Sequence, residues 1–127
     1  MTTEPKRALV VDDNQLNSKL VSVFLKRLDW EVEICDSGVA ALERLREQHF
    51  SLLLLDLRMP SMSGEQACAR IRGELGLRDM PVVAYTAHGM PEERERMLAA
   101  GFSALLIKPI SFQDVRALSD SLVAQHV

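Results

Sequence analysis

Short β-rich runs alternate with longer amphipathic ones five times along this chain, and few folds accommodate that alternation. Parallel strands need a crossover long enough to hold a helix, so the repeat implies a parallel sheet with helices on both faces, an α/β protein. The β-rich runs are Ala8 to Val11, Glu31 to Cys35, Phe50 to Leu55, Pro81 to Thr86 and Ala104 to Ile107. Glu31-Val-Glu-Ile-Cys35 alternates polar with apolar residues, as a strand with one wetter face does, and is placed at an edge of the sheet. Phe50 to Leu55 shows no polar alternation, which places it centrally, covered on both faces.

The stretches between these runs carry helical periodicity. Leu16, Leu20, Phe24 and Leu28 recur at a spacing of four, with Val21 and Leu25 widening the stripe, and predict the best-defined helix of the chain. Asp36-Ser37 offers caps for a second helix that buries Ala41, Leu42 and Leu45. A third repeats Ala67, Ile71 and Leu75. The fourth opens on Pro91-Glu92-Glu93 and ends at Gly101; its middle has little apolar surface, so it should be the least firmly packed. The fifth starts at Ser111, with Asp114 completing a loose capping box, and buries Val115, Leu118 and Leu122.

At 127 residues the expectation is one domain spanning 1–127, with no second module. A composition of 47% hydrophobic and 26% charged residues with a formal net charge of -3 is that of a soluble globular chain, and it gives nucleic acid no electrostatic attraction. Cys35 and Cys68 lack metal-ligand spacing and read as reduced thiols. The opening Met-Thr-Thr-Glu-Pro-Lys-Arg lacks the apolar stretch of a signal peptide, and no apolar run approaches the roughly 20 residues of a membrane span. The expectation is a cytoplasmic protein that binds neither membrane nor nucleic acid.

The strand ends carry the chemistry. Ala8-Leu-Val-Val leads into Asp12-Asp13, Phe50-Ser-Leu-Leu-Leu-Leu into Asp56, the fourth run ends at Thr86, and the fifth leads into Lys108. Ligands of open parallel sheets bind beyond the carboxyl ends of the strands, so these endings converge on one pocket of three carboxylates, a hydroxyl and an ammonium. That set suits a divalent cation and a phosphoryl group, with Asp13 and Asp56 as a carboxylate pair for magnesium. Each residue alone has a plainer role: Asp12, Asp13 or Asn14 as a helix cap, Thr86 as a strand former, Lys108 as a solvated charge. Their conjunction, in this order, favours a site.

From Ala8 to about Leu122 the chain resembles the receiver domains of two-component response regulators, on Val10-Val11-Asp12-Asp13-Asn14, Leu54-Leu55-Asp56-Leu57-Arg58-Met59-Pro60, Thr86-Ala87 and Lys108-Pro109. The resemblance implies a flavodoxin-like (βα)5 three-layer sandwich whose five-stranded parallel sheet runs in the order 2-1-3-4-5. It implies that Asp56 is the phosphoacceptor, that Asp13 and Asp56 ligate Mg2+ with the backbone carbonyl of Arg58, and that Asp12 acts mainly through bound water. Thr86 and Lys108 would hold the phosphoryl oxygens, and Lys108-Pro109 would be a cis peptide. The implied donor is a histidine kinase or a histidine phosphotransfer protein. The readout surface would be the fourth helix, fifth strand and fifth helix, facing a downstream protein target.

Many receivers have an aromatic residue three before the lysine; here that position is Leu105, so a tyrosine switch in its usual form is lacking and Leu105 is either output surface or core. The Arg58 and His88 side chains stand where the family tunes phosphate lifetime, and equally where loops are solvated. The rival class is a magnesium-dependent phosphohydrolase acting through an aspartyl phosphate. Such enzymes often place a second acid two residues past the nucleophile, and that position is Arg58, which cannot serve. Flavin binding is disfavoured because the acidic Asp12-Asp13-Asn14 loop repels a cofactor phosphate.

Overall fold

The computed structural model describes residues 6–59, 62–87 and 91–125, the last three by backbone alone. Strands β1 (Arg7–Val11), β2 (Glu31–Cys35), β3 (Leu52–Asp56), β4 (Val82–Thr86) and β5 (Ala104–Ile107) alternate with helices α1 (Gln15–Arg27), α2 (Gly38–Glu47), α3 (Gly64–Gly73), α4 (Pro91–Ala99) and α5 (Phe112–Gln125). All strand pairs are parallel, and the sheet order is β2-β1-β3-β4-β5. The central and edge positions expected for β3 and β2 are both observed. No helix among the described residues is long and apolar enough to cross a membrane.

Two apolar layers sandwich the sheet. Ala8, Val10, Leu52, Leu54, Val83 and Tyr85 pack with Val21 and Leu25 of α1 and with Val115 and Leu122 of α5. The alternate strand residues, Leu9, Val11, Leu53, Leu55, Val82 and Ala84, pack with α2, α3 and Met97 of α4. Serines start three of the helices. Ser37 accepts from the Ala40 N–H, Ser63 and Gln66 form a reciprocal capping box, and Ser111 and Asp114 exchange the same pair of bonds. α4 is the least embedded helix, with Met97 its only buried residue, and Gly101 ends its turn at a φ of 107°, a conformation glycine takes without strain.

The stripe expected on α1 is only partly buried. Leu16 and Leu20 are 80% and 43% exposed, while Ser18, Val21, Ser22 and Leu25 face the sheet, and Phe24 and Leu28 pack at the margin. A spacing of four overshoots the 3.6-residue turn by about 40° a step, so the leucine row winds from solvent at the start of α1 toward the core at its end. On β2, Ile34 is likewise exposed, while Glu33 is half-buried and paired with Arg44 at 2.6 Å. Leu75, expected within the third helix, lies just past α3 and packs against the core from there.

Arg72 of α3 ties the loops at the opposite end of the sheet. Its guanidinium donates to the carbonyls of Leu77 and Met80 and, through Nε and Nη2, to that of Gly101 at 3.1 and 2.9 Å. It thereby joins the approach to β4 to the end of α4. Arg72→Met keeps the apolar stem and strips donors from three carbonyls. Water replaces some of them, so the expected loss of stability is about 2 kcal/mol, read as a lower urea midpoint; an unchanged midpoint would show that the tie is dispensable.

Candidate functional site

At the end of β1 the chain turns into α1 through Asn14, whose side chain accepts from the Leu16 and Asn17 N–H groups at 3.0 and 3.1 Å. Asn14 is therefore the cap, which frees Asp12 and Asp13 from that role. Asp12 is buried, and its Oδ1 accepts from the Asn14 N–H at 2.9 Å, whereas Asp13 is exposed at the mouth. Asp56 is the last residue of β3 and is buried. Its Oδ1 accepts from the Arg58 N–H at 3.2 Å and from Lys108 Nζ at 3.3 Å, and the same ammonium lies 3.9 Å from Asp12 Oδ2. Thr86 is buried at the end of β4, its carbonyl accepts from the Lys108 N–H at 2.7 Å, and Lys108-Pro109 is cis.

The carboxylates of Asp12, Asp13 and Asp56 each offer an oxygen, and these lie within 4.8 Å of one another. Burial pushes the Asp56 carboxyl above its ordinary range and Asp12 pushes it further, against the opposing pull of the Arg58 N–H and Lys108. One ammonium against three carboxylates leaves negative charge uncompensated. Hard oxygen donors, two buried and one at the mouth, with charge to spare, fit a magnesium ion.

α3 begins close against this strand exit. A Cβ on Gly64 would stand 2.8 Å from the Asp56 carbonyl oxygen and 2.9 Å from the Leu57 Cα, and the Gly64 N–H donates to Leu57 at 3.1 Å. Gly64→Ala must push that backbone aside, at a cost of about 1–3 kcal/mol. Amide shifts at Asp56 and Leu57 should accompany the lower urea midpoint; a variant with unchanged shifts and midpoint would refute the close packing.

The structure thus gathers Asp12, Asp13, Asp56, Lys108 and the end of β4 at Thr86. The Arg58 side chain is exposed, and only the backbone N–H of that residue is recorded at the cluster. His88 lies outside the described residues. Leu105, one of the two expected alternatives for which was an output surface, is half-buried against the layer formed by α2, α3 and α4, which makes core packing at least part of its role.

The model of the response regulator receiver domain matches residues 8–120. The chain belongs to that family. It is 42% identical over 113 residues to the signal transduction histidine-protein kinase BarA of Escherichia coli K12, a match spanning 87% of this chain and 12% of BarA. It is 36% identical over 106 residues to the polar-differentiation response regulator DivK of Brucella ovis, spanning 84% of this chain and 86% of DivK. The receiver thus covers a small part of its kinase relatives and most of DivK. Among solved structures, the receiver domain of a sensor histidine kinase from Pseudomonas aeruginosa PAO1, with a magnesium ion coordinated in its active site cleft, superposes with a TM-score of 0.85 at 26% identity, covering 95% of this chain and 99% of that one.

One residue of this receiver's site escaped the reading of the sequence. Tyr85 is fully buried, its hydroxyl donates to Asp12 Oδ2 at 2.7 Å and lies 3.3 Å from the Val11 carbonyl, and its ring lies under Lys108 with Nζ 5.0 Å from the centroid. Burial first, and Asp12 next, push its phenol well above the usual value, so it stays a donor. One signal in the sequence and one in the assembled sheet point to it. A buried tyrosine needs a partner for its hydroxyl, and the register pairs Asp56 with Tyr85, which sets the two on the same face.

Proposed function

We propose that this receiver takes a phosphoryl group from a phosphohistidine donor onto Asp56 and thereby switches its binding to a protein partner. What supports this reading is the meeting of two further carboxylates and one lysine around a buried aspartate at the end of the central strand. Asp13, Asp56 and the backbone carbonyl of Arg58 would hold Mg2+, with Asp12 acting mainly through bound water. When bound, the ion supplies positive charge that offsets the carboxylates and the oxygens of an incoming phosphoryl group.

The remaining chemistry falls to side chains. The Asp56 carboxylate attacks phosphorus, forming a P–O bond as the P–N bond to the donor imidazole breaks. Lys108, 3.3 Å from Asp56, neutralises charge on the transferred group. The receiver in this sense catalyses its own modification and, by the reverse logic with water as nucleophile, its own dephosphorylation. The phosphoryl group brings about -1.5 to -2 charges to a buried strand end, and its oxygens draw in the Thr86 hydroxyl with the loop behind it. The readout face is that of α4, β5 and α5, where Leu98 and Ile107 are exposed. The donor is a histidine kinase or histidine phosphotransfer protein in the cytoplasm, and BarA and DivK illustrate the two settings, within a kinase chain and as a response regulator.

The family match leaves the magnesium-dependent phosphohydrolase without support, and Arg58 stands where its acid would be needed. Acetyl phosphate, a small acyl-phosphate donor, tests the proposal. Intact-mass measurement should show one added phosphoryl group in magnesium buffer and none in EDTA; modification indifferent to EDTA would contradict it.

A further inference from the structure

We propose that Tyr85 is a positioning residue of the metal site, its buried hydroxyl fixing the Asp12 carboxylate and keeping Lys108 with Asp56. The inference rests on the magnesium reading above and adds a residue to it. The two Asp12 oxygens accept from donors on different elements: Oδ1 from the Asn14 N–H ahead of α1 at 2.9 Å, and Oδ2 from the Tyr85 hydroxyl of β4 at 2.7 Å. Rotating the carboxylate breaks one or the other. With a hydroxyl to serve Val11 and Asp12, the single proton goes to the shorter, charge-assisted bond, and the Val11 carbonyl at 3.3 Å is the weaker partner.

The second consequence concerns the lysine. Lys108 Nζ stands 3.3 Å from Asp56 and 3.9 Å from Asp12 Oδ2, so two carboxylates compete for one ammonium. The Tyr85 hydroxyl occupies the competing oxygen, and its ring supports the ammonium from below. With an apolar side chain at this position, Oδ2 would lose the hydroxyl and keep Lys108 3.9 Å away, and the lysine would be drawn off Asp56.

Tyr85→Phe removes the hydroxyl and keeps the ring, so packing is retained. Hydrogen-bond partners of metal-ligating groups typically contribute 10–100-fold to affinity; Asp12 acts on the ion through water, so the expected loss of MgCl2 affinity by calorimetry is at the low end, about tenfold. In an Asp12→Asn background the same substitution should cost nothing further. A wild-type affinity retained by Tyr85→Phe would overturn the inference, as would an equal loss in both backgrounds, which would mean that Tyr85 does not act through Asp12. Failure of the unmutated receiver to bind magnesium would instead overturn the reading beneath it. A second measurement needs no variant: the Tyr85 ring carbon bearing the hydroxyl should shift on MgCl2 addition together with the Asp13 amide, and an Asp13 shift without the tyrosine shift counts against the proposal.

Discussion

Replacing Asp56 with asparagine is expected to bring phosphoryl incorporation from acetyl phosphate down to background while the fold survives. The amide matches the carboxylate in shape, can still accept from the Arg58 N–H, and offers no anionic oxygen for attack on phosphorus. The variant should also be at least as stable as the parent in metal-free buffer at neutral pH. Burial and then Asp12 hold the Asp56 carboxyl above its ordinary range, so the folded chain binds that proton more tightly than the unfolded chain does. Stability from this group therefore falls as pH rises from the ordinary carboxylate value through the raised folded one, and the full penalty is present above it. Asparagine carries no such penalty. Urea midpoints should favour the variant at neutral pH and converge with the parent's as the pH drops below that window; a variant that is less stable at neutral pH would show that Asp56 is held in place by its ion pair.

Lys108→Ala is expected to leave the chain folded and to disconnect phosphorylation from shape. The residue follows β5, its side chain is 23% exposed, and neither apolar layer includes it, so truncation opens no core cavity. Its ammonium is the one positive group recorded within 4.0 Å of the Asp12 or Asp56 carboxylate among the described residues. A charge-assisted hydrogen bond contributes about 1.5–3 kcal/mol, and about 1.4 kcal/mol is tenfold in an equilibrium. Losing the contact with the phosphoryl oxygens should reduce the phosphate-driven population shift by about 10–100-fold. Amide shifts on adding beryllofluoride with magnesium report that shift directly. They should shrink across β4, α4 and β5 in the variant, and an undiminished response would remove Lys108 from the mechanism.

What the sequence disclosed, and what it withheld, follows from the reach of its signals. Uniform apolar runs marked β1, β3 and β4 as buried strands, and the polar residue at each exit placed Asp12, Asp56 and Thr86 at one end of the sheet. The Ser37, Ser63 and Ser111 caps are local patterns, although only those at Ser37 and Ser111 were recognised in advance. Leu16 and Leu20 misled because a row at a spacing of four winds around the helix, and the buried Ser18 and Ser22 gave no hydrophobic signal for the face that packs. Tyr85 lay within the fourth β-rich run and carried no reading of its own. Period-two alternation and the register Val11↔Leu55 and Asp56↔Tyr85 put it in line with the acids, but that register is a property of the assembled sheet. The three carbonyls held by Arg72 and the crowding at Gly64 depend on loops meeting in space, where no local pattern reaches.

The most direct test of the account is to locate the phosphoryl group. After incubation with acetyl phosphate and magnesium, borohydride reduces an aspartyl phosphate to homoserine, and tandem mass spectrometry of the digest reads its position. Homoserine is expected at position 56, with aspartate retained at 12 and 13. Reduction at Asp12 or Asp13 in place of Asp56, or a phosphoryl group that borohydride leaves untouched, would contradict it.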